Sequence, residues 1–331
     1  MIFRLAEYTI SIRDKHGMYG NQDTIGFIGL GHMGAAMAER LLASGRGLVV
    51  HDLDRAAVDR LVAAGAQAAI GPEEMARRCS VVFLCLPSPD ASRAVCEQMR
   101  AGGALRVVVE TSTVGPESIR QLVASLASHG VSVLDAPLSG GPRGARAGTL
   151  SVMVSGAAET LQAAIGPLQA IAGKLFHVGS EPGLAQVCKL VNNAISAAGM
   201  MAACEATVLG VKAGLDADVL LDAINAGSGR NAATMDKFPR SILTGSFDYG
   251  GPMGLMLKDL SLFIDLATSA GVHNRLAPAT LAAWQQAVAY SGPEADYSEV
   301  IRYMEAEAGA EVRARAAKAA PNPATTGKPS E

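Results

Sequence analysis

The stretch Thr24–Arg40 reads TIGFIGLGHMGAAMAER. Ile25, Phe27, Ile28 and Leu30 are apolar, strand-forming residues interleaved with Gly26 and Gly29. They run into Gly29, Gly31 and Gly34, and helix formers continue from Ala35 to Leu42. This pattern predicts a strand, a tight turn and a helix. The glycine spacing is G-x-G-x-x-G: Gly29 allows the sharp turn, Gly31 leaves bare backbone against a pyrophosphate, and Gly34 lets helix and strand approach closely. The helix start then points its amides at phosphate oxygens. In a chain with 36 glycines the spacing alone is a weak signal, so its surroundings decide the reading. A second apolar run, Gly47–Val50, ends in His51-Asp52. Asp52 stands 21 residues after Gly31, where an acidic side chain at the end of the second strand binds ribose hydroxyls. Strand, glycines, helix, strand and acid in this order predict a dinucleotide-binding unit. Asp52 would repel a 2′-phosphate, which favours NAD over NADP; Arg55 softens that preference and keeps NADP as the alternative.

Downstream, Ala68-Ala69-Ile70 reads as a short edge strand and Pro72 opens a helix. Ser80–Leu86, SVVFLCL, is the continuous apolar run that a parallel strand covered on both faces needs. Pro87-Ser88-Pro89 stops it at its carboxyl end, the edge where open α/β sheets bind ligands. The strand Arg106–Glu110 delivers Thr111-Ser112-Thr113 to the same edge, and Pro116 opens a helix to Ser128. Val131–Leu134 is a strand followed by the loop Asp135–Pro142, whose small residues and exposed amides suit a carboxylate. Leu150–Ser155, the helix Glu159–Ala172 and the strand Lys174–Val178 close the unit. From Pro182 no strand pattern appears, and Gly183–Ala213, Asp216–Ala226, Lys258–Ala270, Ala277–Tyr290 and Tyr297–Ala308 read as helices. The expected fold is an α/β Rossmann dinucleotide-binding domain (23–181) followed by an all-α C-terminal domain (182–308), joined by a long interdomain helix. An N-terminal extension (1–22), poorly ordered, and a disordered tail (309–331) flank them.

At 331 residues two domains are expected, since single cores rarely grow beyond roughly 250 to 300 residues. A formal charge of −3 and a single Trp give no footprint for nucleic acid. Five cysteines (Cys79, Cys85, Cys96, Cys188, Cys204) show neither C-x-x-C pairs nor zinc spacing, so reduced thiols in a cytoplasm and no metal site are expected. The longest membrane-span candidate, Leu190–Cys204, is short and holds Asn192, Asn193 and Ser196, so no membrane partner is expected. Residues 1–22 lack a signal-peptide core, and Met18 is an alternative start.

On the long helix, Lys189, Asn192, Asn193 and Ser196 fall at i, i+3, i+4 and i+7 and share one face. A solvated face is the plain alternative, but Leu190–Cys204 carries no charge at all, which favours a functional stripe. A lone lysine among apolar neighbours has its ammonium form destabilised, as a proton-transferring lysine near neutral pH requires. Lys258, following the glycine-rich Tyr249–Gly254, is a second cation that would push the same way, although Lys-Asp pairs are usually only helix starts. A helix of about 30 residues, roughly 45 Å long and apolar nearly all round, needs partners on several faces, so a homodimer or homotetramer is expected.

With GFIGLGHMG, ETSTVGP, DAPLSGGPRGARAGTL, GLAQVCKLVNN and LMLKDL in this order, the chain resembles the β-hydroxyacid dehydrogenase family over about Thr24–Ala308. That group includes 3-hydroxyisobutyrate dehydrogenase, tartronate semialdehyde reductase and 6-phosphogluconate dehydrogenase. The resemblance implies that Gly29, Gly31, His32, Met33, Gly34, Asp52, Leu86, Pro87, Thr113 and Lys258 bind the dinucleotide. It further implies that Ser139, Gly140 and Gly141 hold the substrate carboxylate, that Asn193 orients the substrate, and that Lys189 is the catalytic acid–base. Ala185 departs from a glycine common in the family and is expected to crowd the substrate by one methyl group. Ser228, Arg230 and Asn231, within Ala226–Arg240, reach either the far end of a substrate or only an exposed helix-joining loop. The activity implied is NAD(P)-dependent oxidation of a small 3-hydroxy acid such as 3-hydroxyisobutyrate to its semialdehyde. The alternatives are a semialdehyde reductase of tartronate or succinic type and, more remotely, a catalytically silent dinucleotide-binding module.

Overall fold

The computed structural model describes residues 24–315; the extension 1–22 and the tail beyond 315 lie outside the described residues. The chain divides into two compact units at Val191/Asn192.

The first unit is built on one sheet. Strands β1 (Ile25–Ile28), β2 (Leu48–His51), β3 (Gln67–Ala68), β4 (Val81–Leu84), β5 (Val107–Glu110) and β6 (Ser132–Asp135) lie parallel in the order β3-β2-β1-β4-β5-β6. This is the doubly wound order that the glycine turn predicts. Beyond β6 come β8 (Leu150–Ser155), antiparallel to it, and then β7 (Leu138–Ser139), antiparallel to β8; β9 (Ala172–Gly179) runs parallel to β8. Every residue of β1, β4 and β5 is buried, which explains their unalternating apolar sequences. Phe27 and Phe83 stack across β1 and β4 with ring centroids 6.0 Å apart.

Helices α1 (His32–Ala43), α2 (Arg55–Ala63), α3 (Pro72–Arg78), α4 (Pro89–Met99), α5 (Pro116–Ala127), α6 (Gly141–Ala147) and α7 (Ala158–Ile171) connect the strands. Two of them were not legible in the sequence. Pro89 does not merely end a turn: Ser88 accepts the Ala91 amide and α4 starts there. The expected loop Asp135–Pro142 contains β7, and Gly141-Pro142 opens α6.

The second unit is helical: α8 (Leu184–Lys212), which enters it at Asn192, α9 (Ala217–Ala226), a π-helix (Ala233–Ile242), α10 (Met253–Ser269), α11 (Leu276–Ser291), a 3-10 turn (Tyr297–Ile301) and α12 (Arg302–Ala308). Asp216 caps α9 by accepting the amides of Asp218 and Val219. The core gathers Met200, Cys204, Phe238, Trp284 and Ile301. At 29 residues α8 is long and apolar enough to cross a bilayer, a length that Leu190–Cys204 alone does not reach. Its Ala197, Met200, Cys204 and Val208 are instead built into this core.

Three segments differ from the sequence reading. Ala226–Arg240 is largely a π-helix, capped by Asn231, whose side chain accepts the Ala233 amide at 2.7 Å. The helix containing Lys258 starts at Met253. Residues 309–315, assigned by composition to the tail, pack on the second unit: Val312 is buried and Arg313 pairs with Glu305 at 2.6 Å.

Candidate active site

The carboxyl edge of the first unit's sheet collects the residues expected to hold a dinucleotide. Gly29 has φ +94°, and a Cβ there would lie 2.2 Å from the Cys85 carbonyl oxygen; a Cβ on Gly34 would lie 1.8 Å from the Gly29 oxygen. Both positions therefore require glycine. Gly31 is different. Open space surrounds its Cβ position, and it begins α1 without any side-chain cap, so no capping side chain occupies the first-turn amides beside exposed His32 and half-buried Met33. A pyrophosphate fits this arrangement. Asp52 accepts the Leu30 amide through Oδ2 and the Asp54 amide at 2.8 Å through Oδ1, which fixes its carboxylate beside the turn. Leu86 donates its amide to Ser112 Oγ at 2.7 Å; Pro87 is exposed and Thr113 half-buried at the same edge.

Behind that edge lies a buried polar network that the sequence did not reveal. Gln186, fully buried in the first turn of α8, accepts the Val114 and Gly115 amides (2.9 and 3.0 Å) and donates to Ser112 O (3.0 Å) and Asp135 Oδ1 (2.7 Å). Asp135 Oδ2 in turn accepts the amides of Gly183 and Gln186 and the Ser155 hydroxyl, at 3.2, 3.0 and 3.0 Å. The last residue of β6 thus caps the helix that carries Lys189. Lys189 follows Gln186 by three residues and is 8 % exposed.

Glu110 stands opposite Asp135 in the β5–β6 register, with Oε1 accepting the Ser112 amide. Burial pushes the Glu110 carboxyl up to about 7 and the Asp135 carboxyl up to about 6; in each, hydrogen bonds oppose the rise. The signal available in the sequence was the placement of both acids as the last residues of apolar strands.

Ser139 pairs with Ser151 in the β7–β8 ladder. Gly140 (φ +129°) and Gly141 (φ +64°) then lead into α6, which also lacks a side-chain cap, so Ser139, Gly140 and Gly141 present a hydroxyl and amides together. Arg146 pairs with Glu39 at 3.0 Å and so ties α6 to α1. Ala185 does not crowd a substrate. It is fully buried, and its amide donates to Ser155 Oγ.

The second unit holds the remaining two residues. Asn193, 8 % exposed and one helical turn after Lys189 on α8, donates to Asp259 Oδ2 at 2.6 Å. Lys258 Nζ lies 2.9 Å from Asp259 Oδ1. The Lys-Asp pair is therefore no helix start: it sits in the second turn of α10 and fixes the Asn193 amide. The glycine-rich segment before α10 is pinned, since Asp296 accepts the Tyr249 and Gly250 amides and Gly251 O accepts the Tyr297 amide. Ser228 and Arg230 are exposed, and the Asn231 side chain donates to Gly199 O of α8.

A glycine turn between strand and helix, a carboxylate fixed beside it and a buried lysine on the helix leaving the sheet are the features expected of an NAD(P)-dependent dehydrogenase. Comparison with known proteins agrees. Residues 24–179 match the NAD-binding domain of 6-phosphogluconate dehydrogenase, and residues 183–304 match the corresponding domain of NADP-dependent 3-hydroxyisobutyrate dehydrogenase. The chain is 35 % identical to 2-(hydroxymethyl)glutarate dehydrogenase of Eubacterium barkeri over 87 % of its length and 97 % of that protein. It is 37 % identical to the NAD-dependent L-serine dehydrogenase of Pseudomonas aeruginosa over 86 % and 99 %. The structure of Mycobacterium tuberculosis 3-hydroxyisobutyrate dehydrogenase with L-serine superimposes with a TM-score of 0.78 at 32 % identity, covering 86 % of this chain and 99 % of that one. The chain belongs to the β-hydroxyacid dehydrogenase family.

Proposed function

We propose that the enzyme interconverts a small 3-hydroxy acid and its semialdehyde, with Lys189 as the general acid–base. The observation that carries this reading is Lys189 itself, a lysine held 8 % exposed on α8 one turn before Asn193. Bound NAD(P) supplies the hydride acceptor. Ser139 and the Gly140 and Gly141 amides receive the substrate carboxylate. Lys189 Nζ takes the hydroxyl proton as the carbinol carbon is oxidised and returns it in reduction. Asn193, its amide oriented by Asp259, holds the substrate in register with that lysine. Asp52 favours NAD, with NADP the alternative.

The relatives act on serine, 2-(hydroxymethyl)glutarate and 3-hydroxyisobutyrate, which share a carboxylate and a hydroxyl on the β-carbon. A homodimer or homotetramer covers the apolar surface left on the second unit, where Ile195 and Leu209 of α8 are both 70 % exposed. The five free thiols suit a reducing compartment such as the cytoplasm.

The test is NADH formation by wild type and Lys189→Ala over a panel of 3-hydroxy acids, with semialdehydes in reverse. The expected outcome is a kcat lower by about 10²- to 10⁴-fold in the variant with NAD binding retained. A variant as active as wild type removes Lys189 from this role.

A further inference from the structure

Every donor and acceptor of the Gln186 side chain is used, and none of its four bonds returns to its own helix. Oε1 meets only amides, those of Val114 and Gly115, and Nε2 meets only acceptors, Ser112 O and Asp135 Oδ1. A side-chain amide has two acceptor sites and two N–H groups, so Gln186 is saturated and its orientation is fixed. Three of the four bonds go to Ser112–Gly115, the segment between β5 and the start of α5. That segment contains Thr113, and its Ser112 Oγ accepts the Leu86 amide at 2.7 Å. One side chain of the lysine helix therefore holds the edge expected to take the dinucleotide.

Capping of α8 does not account for these bonds. Asp135 Oδ2 accepts the Gly183 and Gln186 amides, Ser155 Oγ that of Ala185 and Glu181 O that of Leu184. The start of the helix is thus satisfied without the Gln186 side chain, and an apolar residue there would leave the cap in place. The two elements also touch: a Cβ on Gly183 would lie 3.2 Å from Pro116 O, so the approach to α8 rests on the first residue of α5. Lys189 follows Gln186 by three residues, on the same face and with a rise of about 4.5 Å. A helix moves as a rigid rod over one turn, so a shift at Gln186 reaches Lys189. A misplacement of about 1 Å between reacting groups costs on the order of 10² in rate.

We propose that Gln186 is a positioning residue for the reaction, its side-chain amide holding the dinucleotide edge Ser112–Gly115 and the helix of Lys189 in one register. This rests on the dehydrogenase reading above and adds to it the device that aligns cofactor and acid–base.

The experiment compares wild type with Gln186→Met and Gln186→Glu. Gln186→Met keeps an unbranched side chain and removes all four bonds. Gln186→Glu keeps an acceptor for the Val114 and Gly115 amides but turns its second oxygen toward Ser112 O and Asp135, which it can bond only when protonated. The measurements are Kd for NAD, KM, kcat and the isotope effect of deuterium at the carbinol carbon, from about pH 6 to about pH 9. In Gln186→Met, kcat should fall at least tenfold while Kd and KM stay within about threefold, and the isotope effect should grow as hydride transfer becomes limiting. In Gln186→Glu, the ratio of wild-type to variant kcat should rise with pH as the introduced carboxyl loses its proton; the ratio removes the titration of Lys189 common to both. An unchanged kcat in Gln186→Met, a loss confined to Tm, or a ratio flat in pH overturns the proposal. Hydrogen exchange in wild type keeps it testable if neither variant folds. NAD should slow exchange of the Val114 and Gly115 amides and of Gln186–Lys189 together; protection of the loop alone, or of neither, overturns it. If wild type turns over no 3-hydroxy acid, the dehydrogenase reading fails by itself, and the exchange measurement still decides whether the edge and the lysine helix move as one.

Discussion

Each unit buries a cluster of polar side chains, and the two clusters are finished differently. Around Gln186 and Asp135, four oxygens and their donors are matched within the protein, from the Val114 amide through to Ser155. Around Lys237 no such chain of donors and acceptors forms: the ammonium faces the rings of Tyr249 and Tyr297, each centroid 5.5 Å from it. A fully matched network fixes geometry, because every member is costly to move. The difference assigns the first cluster to positioning the lysine helix, and it predicts that substitutions in the two will have different consequences for stability.

The largest expected effect comes from breaking the matched network. Asp135→Ala leaves the Gly183 and Gln186 amides, the Gln186 side-chain amide and the Ser155 hydroxyl short of an acceptor in a dry interior. At about 1 to 3 kcal/mol per unmet group, reduced by the cost of burying the carboxylate itself, the loss is on the order of 3 to 5 kcal/mol. At a few degrees per kcal/mol, calorimetry should find Tm lower by on the order of 10 °C. An unchanged Tm would mean that water or a shifted backbone satisfies those donors and that Asp135 does not hold α8.

A smaller effect, with a definite pH dependence, comes from Glu110, an acid beside this network with an oxygen left unpartnered. Burial raises its pKa from 4.5 to about 7. The folded state therefore holds this proton more firmly than the unfolded state does. Stability from this group is fully present below pH 4.5 and falls as pH rises to about 7, by on the order of 3 kcal/mol in total. Asp135, raised from 3.8 to about 6, adds a loss of the same sign over a lower window. Glu110→Gln keeps an oxygen for the Ser112 amide and places its amine where Oε2 now lacks a partner. Denaturant unfolding should give variant and wild type nearly equal stability at pH 4.5 and a more stable variant at pH 8. Parallel profiles across that range would show that Glu110 is ionised in the fold at no cost.

The legible parts of the molecule are those whose cause is local in the chain. Gly34 could be read because it answers a clash with the Gly29 carbonyl within one βα turn, Gly29 because the sharp turn itself demands its φ of +94°, and Lys189 with Asn193 because a helix repeats its face every three to four residues. Gln186 could not be read, since its partners Asp135 and Ser112 lie 51 and 74 residues earlier and meet it only once the sheet has formed. The helix α6 was hidden by Gly140-Gly141-Pro142, a run that reads as a turn although proline and glycine also start helices. The π-helix was hidden because its register has no sequence period of its own, and Pro239 inside it argued for a loop. Lys237 was passed over for a related reason. In MDKFPR a charged pair looks like solvated surface, and only the fold turns the lysine inward while Asp236 stays with Arg240.

That inward turn sets up the smallest effect and the sharpest use of the comparison. Lys237→Met removes an ammonium held against two aromatic rings and keeps an unbranched chain of similar length between them. The cost relieved is the ammonium's lost hydration, and the interaction forfeited is its attraction to the ring faces of Tyr249 and Tyr297, about 0.5 to 2 kcal/mol. These oppose each other, so the net change in stability is small. The ligand-free variant should therefore unfold within about 1 kcal/mol of wild type or above it, in contrast to the deficit of Asp135→Ala. A fall of Tm on the scale of Asp135→Ala would make Lys237 a structural member of its core and place both clusters in the same class.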